Sequence, residues 1–463
     1  MVADLMSAST TTQAGTAEPD KEQLHQPWLF RVLCASAPGA QPSRHLLRGL
    51  DAVEIGRGER AGWSRFGGRL SLSLADPRVS SRHARLERIG HLWQLDDRGS
   101  RNGTMLNGGP ISRAILTDGD LIEIGHTFFV YRELPWDGEE PDAAADPLAE
   151  PIGLSTLRPD LARELARLRQ VASSTQTILV LGESGTGKEL VARAVHTLSA
   201  RPGPLVAVNC GALPESMVEA ELFGHRRGAF SGAMTDRAGL MRAADRGTLF
   251  LDEIGDLRLS SQAALLRALQ EREVTPVGAE QPIRVDLRVV AATHRPLERL
   301  EAAGDFRGDL FARLRGFVLR LPPLRERRED LGLMVAALLR KLAGATDDDV
   351  RLSGRTARAL LFHSWPRNVR ELENALGTGL ALSSGDSIRP EHVADAVLHA
   401  PALPNATPPV SSGRAQMDRE RLTGLLREHH GNVTAVARAV GKARTQVVRW
   451  LERFAVDPDD FRA

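Results

Sequence analysis

The feature that most restricts this chain lies between residues 178 and 198. An apolar run, Ile178–Leu181, passes directly into Gly182-Glu183-Ser184-Gly185-Thr186-Gly187-Lys188, and Leu190, Val191, Ala194 and Val195 then recur at helical spacing. A short apolar run bounded by glycine reads as a buried strand. A buried strand that delivers a glycine loop into a helix calls for a mostly parallel sheet with helices on its faces. The glycines let backbone N–H groups turn inward around an anion, and the helix N-terminus adds positive potential. Lys188 supplies a point charge for the β- and γ-phosphates of a nucleotide. Of the 60 basic residues only Lys21, Lys188, Lys341 and Lys442 are lysines. In a chain that otherwise uses arginine, a lysine here marks a place where a compact ammonium is needed. A glycine-rich strand-to-helix turn without a ligand is the structural alternative.

Glu189 stands where Ser or Thr usually holds Mg²⁺, so the metal must lean on carboxylates elsewhere and on water. They follow 64 positions after the lysine (188 to 252), in Thr248-Leu249-Phe250-Leu251-Asp252-Glu253, a second buried-strand run that ends in two acids. Asp252 would hold Mg²⁺ through water, and Glu253 would polarise an attacking water.

Charge and composition divide the rest. Residues 1–27 are rich in Ser, Thr, Ala and Gln without apolar periodicity and read as a disordered tail. Residues 133–150 hold seven acids, no base and prolines at 135, 141 and 147, so 135–154 reads as an extended acidic linker. Residues 399–416 form a Pro/Ser-rich second linker. Three folded units remain, at 28–134, 155–398 and 417–457. The first reads as a β-sandwich, with short runs (HLWQL, LIEIG) between turn clusters (DDRGSRNG, LNGGP, TDGD). The second alternates strands (TILVLG, GTLFLDE, LRVVAAT) with helices (ELVARAVHTL, SQAALLRALQ), an α/β pattern. The third is all-α. Cys34 and Cys210 are the two cysteines, which excludes a disulfide framework or a thiolate zinc site and fits a cytoplasmic protein. No apolar run reaches the length of a membrane span.

The net charge of +1 is a cancellation. Residues 28–132 carry 15 arginines against 10 acids, and residues 427–456 six basic against two acidic residues. Leu422, Leu425 and Leu426 share one helical face; Asn432 can cap a second helix with Val433, Val436, Ala437 and Val440, and a third follows Gly441. This reads as a helix-turn-helix, with Arg444, Thr445, Gln446 and Arg449 placed for double-stranded DNA. A small dimerisation bundle is the alternative.

Residues 155–398 resemble the AAA+ domain of bacterial enhancer-binding proteins, the activators of sigma-54 RNA polymerase. GESGTGKE, VNCGALPESMVEAELFGHRRGAFSGA, GTLFLDEIGDL, LLRALQE, VVAATHRPL, FRGDLFARL, LPPLRERRED and WPRNVRELEN follow the family's segments in order. The resemblance implies a helical lid beside the parallel sheet, ATP and Mg²⁺ as ligands, and an ATPase that remodels closed promoter complexes. It places Gly182 to Glu189 around the nucleotide, with Asn209 as the switch that holds Glu253. It puts Thr293 with His294 at the first sensor and Arg370 at the second. Arg307 and Arg313 resemble fingers reaching a neighbouring subunit, which implies a ring, a hexamer built from dimers or directly. Gly228-Ala229-Phe230-Ser231-Gly232-Ala233 matches the family's sigma-contacting GAFTGA loop, with Phe230 as an apolar tip. Ser231 for threonine loses one methyl contact, worth up to about 1 kcal/mol; Arg227 before the loop is a second departure.

VEIGRG, SLADPRVSSRHARL, WQLDDRGSRNGTMLNG and LTDGDLIEIG resemble an FHA domain, a phosphothreonine-binding sandwich. By position Arg57 and Ser80 would meet the phosphate, Asn102 the peptide backbone, and His83 would brace the loops, with Ser81 and Arg101 as secondary contacts. The last unit resembles the Fis-type helix-turn-helix of the same activators. Together these imply an ATP-driven activator gated by a phosphothreonine partner. A DNA-bound phosphopeptide scaffold or repressor with a vestigial ATPase is the rival reading.

Overall fold

A computed structural model describes residues 25–136, 138, 142–144, 154–214, 217–343, 350–383, 387–393, 397, 419–430, 432–439, 447, 451, 456 and 461. Among the described residues, thirteen strands build the N-terminal unit: β1 (His25–Cys34), β2 (Ser43–Leu46), β3 (Ala52–Arg57), β4 (Gly62–Phe66), β5 (Arg69–Leu74), β6 (Ala84–Ile89), β7 (Leu92–Asp97), β8 (Thr104–Leu106), β9 (Gly109–Ile111), β10 (Arg113–Ile115), β11 (Leu121–Ile124), β12 (Thr127–Pro135) and β13 (Asp142–Ala144). They form two sheets, ordered β13-β2-β1-β12-β11-β8-β9 and β10-β7-β6-β3-β5-β4. Alternation along the strands sends Leu29, Ile122, Phe129 and Tyr131 from one sheet against Val53, Ile55, Leu70, Trp93 and Leu95 from the other.

Two stretches expected to lack structure have it. His25, Gln26 and Pro27 belong to β1 and pair with Pro135, Leu134 and Glu133 of β12. The ladder is a backbone interaction and does not need apolar side chains, so composition missed it. Asp142–Ala144, inside the acidic stretch, adds a strand to β2. Asp142 accepts from Arg65 Nε at 2.6 Å and is joined to buried His45 Nδ1 at 3.0 Å. Leu154 at the stretch's end is buried in the next domain's core.

The middle unit begins with α1 (Pro159–Ala172) and continues β14 (Ile178–Leu181), α2 (Lys188–Ser199), β15 (Leu205–Asn209), α3 (Val218–Phe223), α4 (Leu240–Ala243), β16 (Thr248–Asp252), α5 (Leu259–Glu271), β17 (Glu273–Val274), β18 (Ile283–Arg284), β19 (Arg288–Thr293), α6 (Leu297–Ala303), α7 (Gly308–Leu314) and β20 (Phe317–Arg320). The five long strands form one parallel sheet, β15-β16-β19-β14-β20. Both faces are covered: Leu179, Leu249, Leu251 and Ala291 pack toward α5 and α7, and Ile178, Val180, Phe250 and Val290 toward α1 and α2. This is why the strand sequences read as unbroken apolar runs. The glycine loop leaves central β14, whose neighbours are β19 and β20, so the crevice at the strands' C-terminal ends lies beside it.

A helical lid follows two 3₁₀ turns, Leu324–Glu326 and Arg328–Asp330. It comprises α8 (Leu331–Ala343), α9 (Gly354–Phe362) and α10 (Asn368–Ser383). Near the C-terminus, α11 (Arg419–Glu428) meets α12 (Val433–Ala439). Leu422, Leu426, Val436 and Ala437 are buried together, and Asn432 Oδ1 caps α12 by accepting from Thr434 N and Ala435 N at 3.1 Å each. Arg444, Thr445, Gln446 and Arg449 lie outside the described residues, as does the 399–416 linker.

Candidate functional site

The phosphate loop is held by its own lysine and by the lid. Gly185 and Gly187 sit at φ +78° and +102°, conformations that a Cβ disfavours. Lys188 Nζ donates to Gly182 O at 3.0 Å and Glu183 O at 3.3 Å, and lies 3.5 Å from Glu253 Oε1. Glu253 follows β16 in left-handed backbone (φ +52°), which turns its carboxylate toward the loop; for a non-glycine residue this conformation costs about 1 kcal/mol. His294 holds that carboxylate through Nδ1 at 2.7 Å and its backbone N–H at 3.2 Å.

The two acids are pushed apart electrostatically. Burial, then the Glu253 charge, raises Asp252 above the usual carboxylate range. Burial also pushes Glu253 up, but the His294 hydrogen bond and the Lys188 charge outweigh it, so Glu253 titrates low and stays ionised. Burial and the Asp252, Asp256 and Glu253 charges push Cys210 up to about 12, which removes it as a nucleophile. Thr293 ends β19 next to the loop, where its carbonyl accepts from Gly182 N at 3.2 Å. No triplet of metal-binding side chains exists among the described residues. Asp252 is the carboxylate suited to Mg²⁺ beside the loop, because Glu189 is turned to solvent and paired with Arg193 at 2.6 Å. One carboxylate plus nucleotide phosphates and water fits the way Mg²⁺ is usually held.

The lid grips the loop through residues that motif reading left without a role. Arg325 donates two bonds to Glu183, at 2.6 and 2.8 Å, and pulls that carboxyl down to about 2. Asn368 Nδ2 donates to Ser184 O (3.0 Å) and Glu183 Oε2 (3.2 Å), Val369 N to Gly185 O (2.9 Å), and buried Arg327 to Thr186 O (2.8 Å). Arg370 reaches Ser184 Oγ at 3.4 Å. Arg325 and Asn368 stand in the segments LPPLRERRED and WPRNVRELEN, but nothing in those strings says that they meet the loop.

Other residues expected at the site make different contacts in this structure. Asn209 Oδ1 accepts from Gly211 N and Ala212 N, and no hydrogen bond joins it to Glu253. Arg307 and Arg313 are exposed on and beside α7; Arg307 pairs with Asp309, and Arg313 donates to Leu269 O. The 228–233 loop is closed by Gly228 N to Ala233 O (2.9 Å) and Ala233 N to Phe230 O (3.0 Å). Gly228 and Gly232 take positive φ in it; Ala229 lies against the Gly278 turn, and Ser231 is exposed. Phe230 is not a free tip: its ring leans edge-on against His225, 4.9 Å between centroids, and is 38% exposed. Met234, which sequence reading passed over, is 77% exposed.

In the sandwich, Arg57 ends β3 with its side chain exposed. His83 is fully buried; Ser80 N donates to its Nδ1 (3.0 Å), and its Nε2 pairs with Gly103 O (3.1 Å). Ser80 Oγ accepts from Arg101 N (3.1 Å), and Asn102 Nδ2 donates to Arg78 O (2.6 Å). A Cβ on Gly56 would collide with Ser81 O, so only glycine lets these loops approach. Arg57, Ser80, Ser81 and Asn102 thus cluster at one end of the sandwich, with His83 buried beneath.

A parallel sheet with this loop, an Asp-Glu strand end and a helical lid defines an AAA+ domain, joined to a sandwich of the FHA type. A family model described as the Sigma-54 interaction domain matches residues 154–320, one for the AAA+ ATPase lid domain residues 325–407, and one for the FHA domain residues 53–125. Transcriptional regulatory protein GlrR of Escherichia coli (strain K12) is 43% identical over 309 residues, covering 66% of this chain and 69% of that protein. Regulatory protein AtoC of the same organism is 42% identical over 312 residues, 65% and 67% of the two chains. Among solved structures, NtrX from Brucella abortus in complex with ATP shares 30% identity over 65% of this chain and 69% of that one, with a TM-score of 0.47. The chain belongs to the family of sigma-54-interacting transcriptional regulators. Among the described residues no helix is long and apolar enough to cross a membrane.

Proposed function

We propose that this protein hydrolyses ATP as a ring and uses the cycle to open promoters held closed by sigma-54 RNA polymerase. The observation that supports this best is the grouping of Lys188, at the start of α2, with Asp252, Glu253 and Thr293 at the ends of β16 and β19, under a lid that presents Arg370. Lys188 and the loop N–H groups bind the phosphates. Ionised Glu253 accepts the proton of the water that attacks the γ-phosphorus, and ADP leaves with inorganic phosphate. Asp252 would hold Mg²⁺, which when bound would neutralise charge on the phosphate oxygens. Asn209 takes Glu253 from His294 in another state of the cycle. Arg307 and Arg313, exposed beside and on α7, serve a neighbour's site, which makes the working form an oligomer.

The 228–233 loop, with Phe230 released from His225, is the part that contacts sigma-54. Arg57, Ser80, Ser81 and Asn102 recognise a phosphothreonine peptide that sets activity, by charge-assisted bonds to a dianion. The C-terminal unit, through Arg444, Thr445, Gln446 and Arg449, tethers the ring to palindromic enhancer DNA.

Steady-state ATP hydrolysis by the full chain, with Glu253→Gln as control, tests the enzyme. Open-complex formation with purified sigma-54 polymerase tests the activator. Hydrolysis without open complexes removes the activator reading. Absence of any Glu253-dependent hydrolysis leaves the DNA-bound phosphopeptide scaffold.

A further inference from the structure

The sandwich and the lid share one hydrophobic core. Trp28, Phe30, Val32, Phe128 and Val130 of the sandwich pack with Leu331, Val335, Leu360, Leu361 and Trp365 of the lid. Leu352 N donates to Ala35 O at 2.8 Å. Gly332 is the second residue of α8. A Cβ at this position would collide with the carbonyl oxygen of Val32 in β1. The glycine therefore serves close docking of helix on strand.

Two ion pairs flank the contact. Arg358 of α9 holds Glu123 of β11 at 2.8 and 3.0 Å. Arg132 of β12 binds Glu329, which is fully buried at the start of the lid. A buried carboxylate without a cation would be costly, so this pairing ties the sandwich to the lid's base.

The same sandwich face also touches the AAA+ core. Leu157, just before α1, is buried in the shared cluster, and Arg44 Nη1 donates to Leu157 O at 3.3 Å. The sandwich thus bridges the junction between the 154–320 and 325–407 units. We propose that the N-terminal sandwich is a splint across the core–lid hinge: docked, it holds the lid on the phosphate loop and slows nucleotide release. The inference rests on the nucleotide-cycle reading above. A lid that must open for product release is slowed by any domain bound to both sides of its hinge.

The experiment uses the full chain, with Gly332→Ala, Arg358→Glu, Glu123→Arg and the double reversal Glu123→Arg/Arg358→Glu. Amide hydrogen exchange in β1 and α8 reads docking. Exchange at Val369, whose N–H donates to Gly185 O, reads the lid's grip without nucleotide. Release of a fluorescent ADP reads its consequence. The single variants are expected to speed exchange at all three places and ADP release by about tenfold, with the double reversal returning toward wild type. Faster exchange in β1 and α8 with unchanged Val369 exchange would overturn the proposal, as would unchanged exchange in β1 and α8 in every variant. Loss of Val369 protection in a chain that binds no nucleotide would keep the splint and sink the ATPase reading.

Discussion

Replacing Glu183 by glutamine isolates the charge that latches the lid to the phosphate loop. The carboxylate accepts two bonds from Arg325 and one from Asn368. The Arg325 bonds lead in holding it at about 2, which would suggest a strong pair. Exposure sets a smaller value: the side chains are 39% and 43% accessible, so water and salt screen the attraction. An exposed pair is worth about 0.2–1 kcal/mol, and bidentate geometry puts this one near the top of that range. About 1 kcal/mol is roughly a fivefold change in an equilibrium constant. Glu183→Gln, Arg325→Gln and the double variant form a cycle read by ADP affinity at low and high salt. The expected coupling is about twofold to fivefold at low salt, shrinking in 1 M salt. Because this carboxyl titrates well below its ordinary range, its contribution is complete above about pH 4.5 and fades only as pH falls toward 2. Affinity coupling should therefore be flat from pH 5 to about pH 8. Zero coupling at low salt, or coupling above about fiftyfold, would refute the exposure argument.

Three further expectations follow from the same geometry. His294→Ala removes a bond that lowers Glu253, so the acid limb of the ATPase pH profile should move to higher pH; an unmoved limb denies His294 that role. A Cβ on Gly247 would strike Pro204 O and Gly203 between the starts of β15 and β16, so Gly247→Ala should cost roughly 1–3 kcal/mol in denaturant unfolding. His45 is fully buried, and burial outweighs its Asp142 bond, lowering its pKa below 6.5. The unfolded chain then binds more protons, so stability is full above about pH 6.5 and falls as pH drops through that value. Burial lowers His363 in the same direction. Unfolding midpoints should decline from pH 7.5 to pH 5, and less steeply in His45→Gln.

The parts legible in the chain alone are those whose determinants are local. Ile178 to Lys188 make a strand, a glycine turn and a helix start within eleven positions (178 to 188), and Lys188 bonds to carbonyls five and six residues back. The strand ending at Asp252, the Asn432 cap and the turn around His83 are local in the same sense. Tail composition failed at His25, because a strand partner 110 positions away (25 to 135) supplied the pairing.

Pairings over long separations were decided by the tertiary structure. Glu183 and Arg325 are 142 residues apart, Glu123 and Arg358 235 apart, and neither spacing has a period to read. Arg132 and Glu329, 197 residues apart, meet inside the domain junction, which no charge count along the chain indicates. Sequence by itself determined the FHA-type sandwich and the AAA+ domain with its glycine loop, because backbone geometry and side-chain type act over a few residues. Only the fold decided that lid, phosphate loop and sandwich touch, because apolar surface is buried against whatever shape the rest of the chain presents.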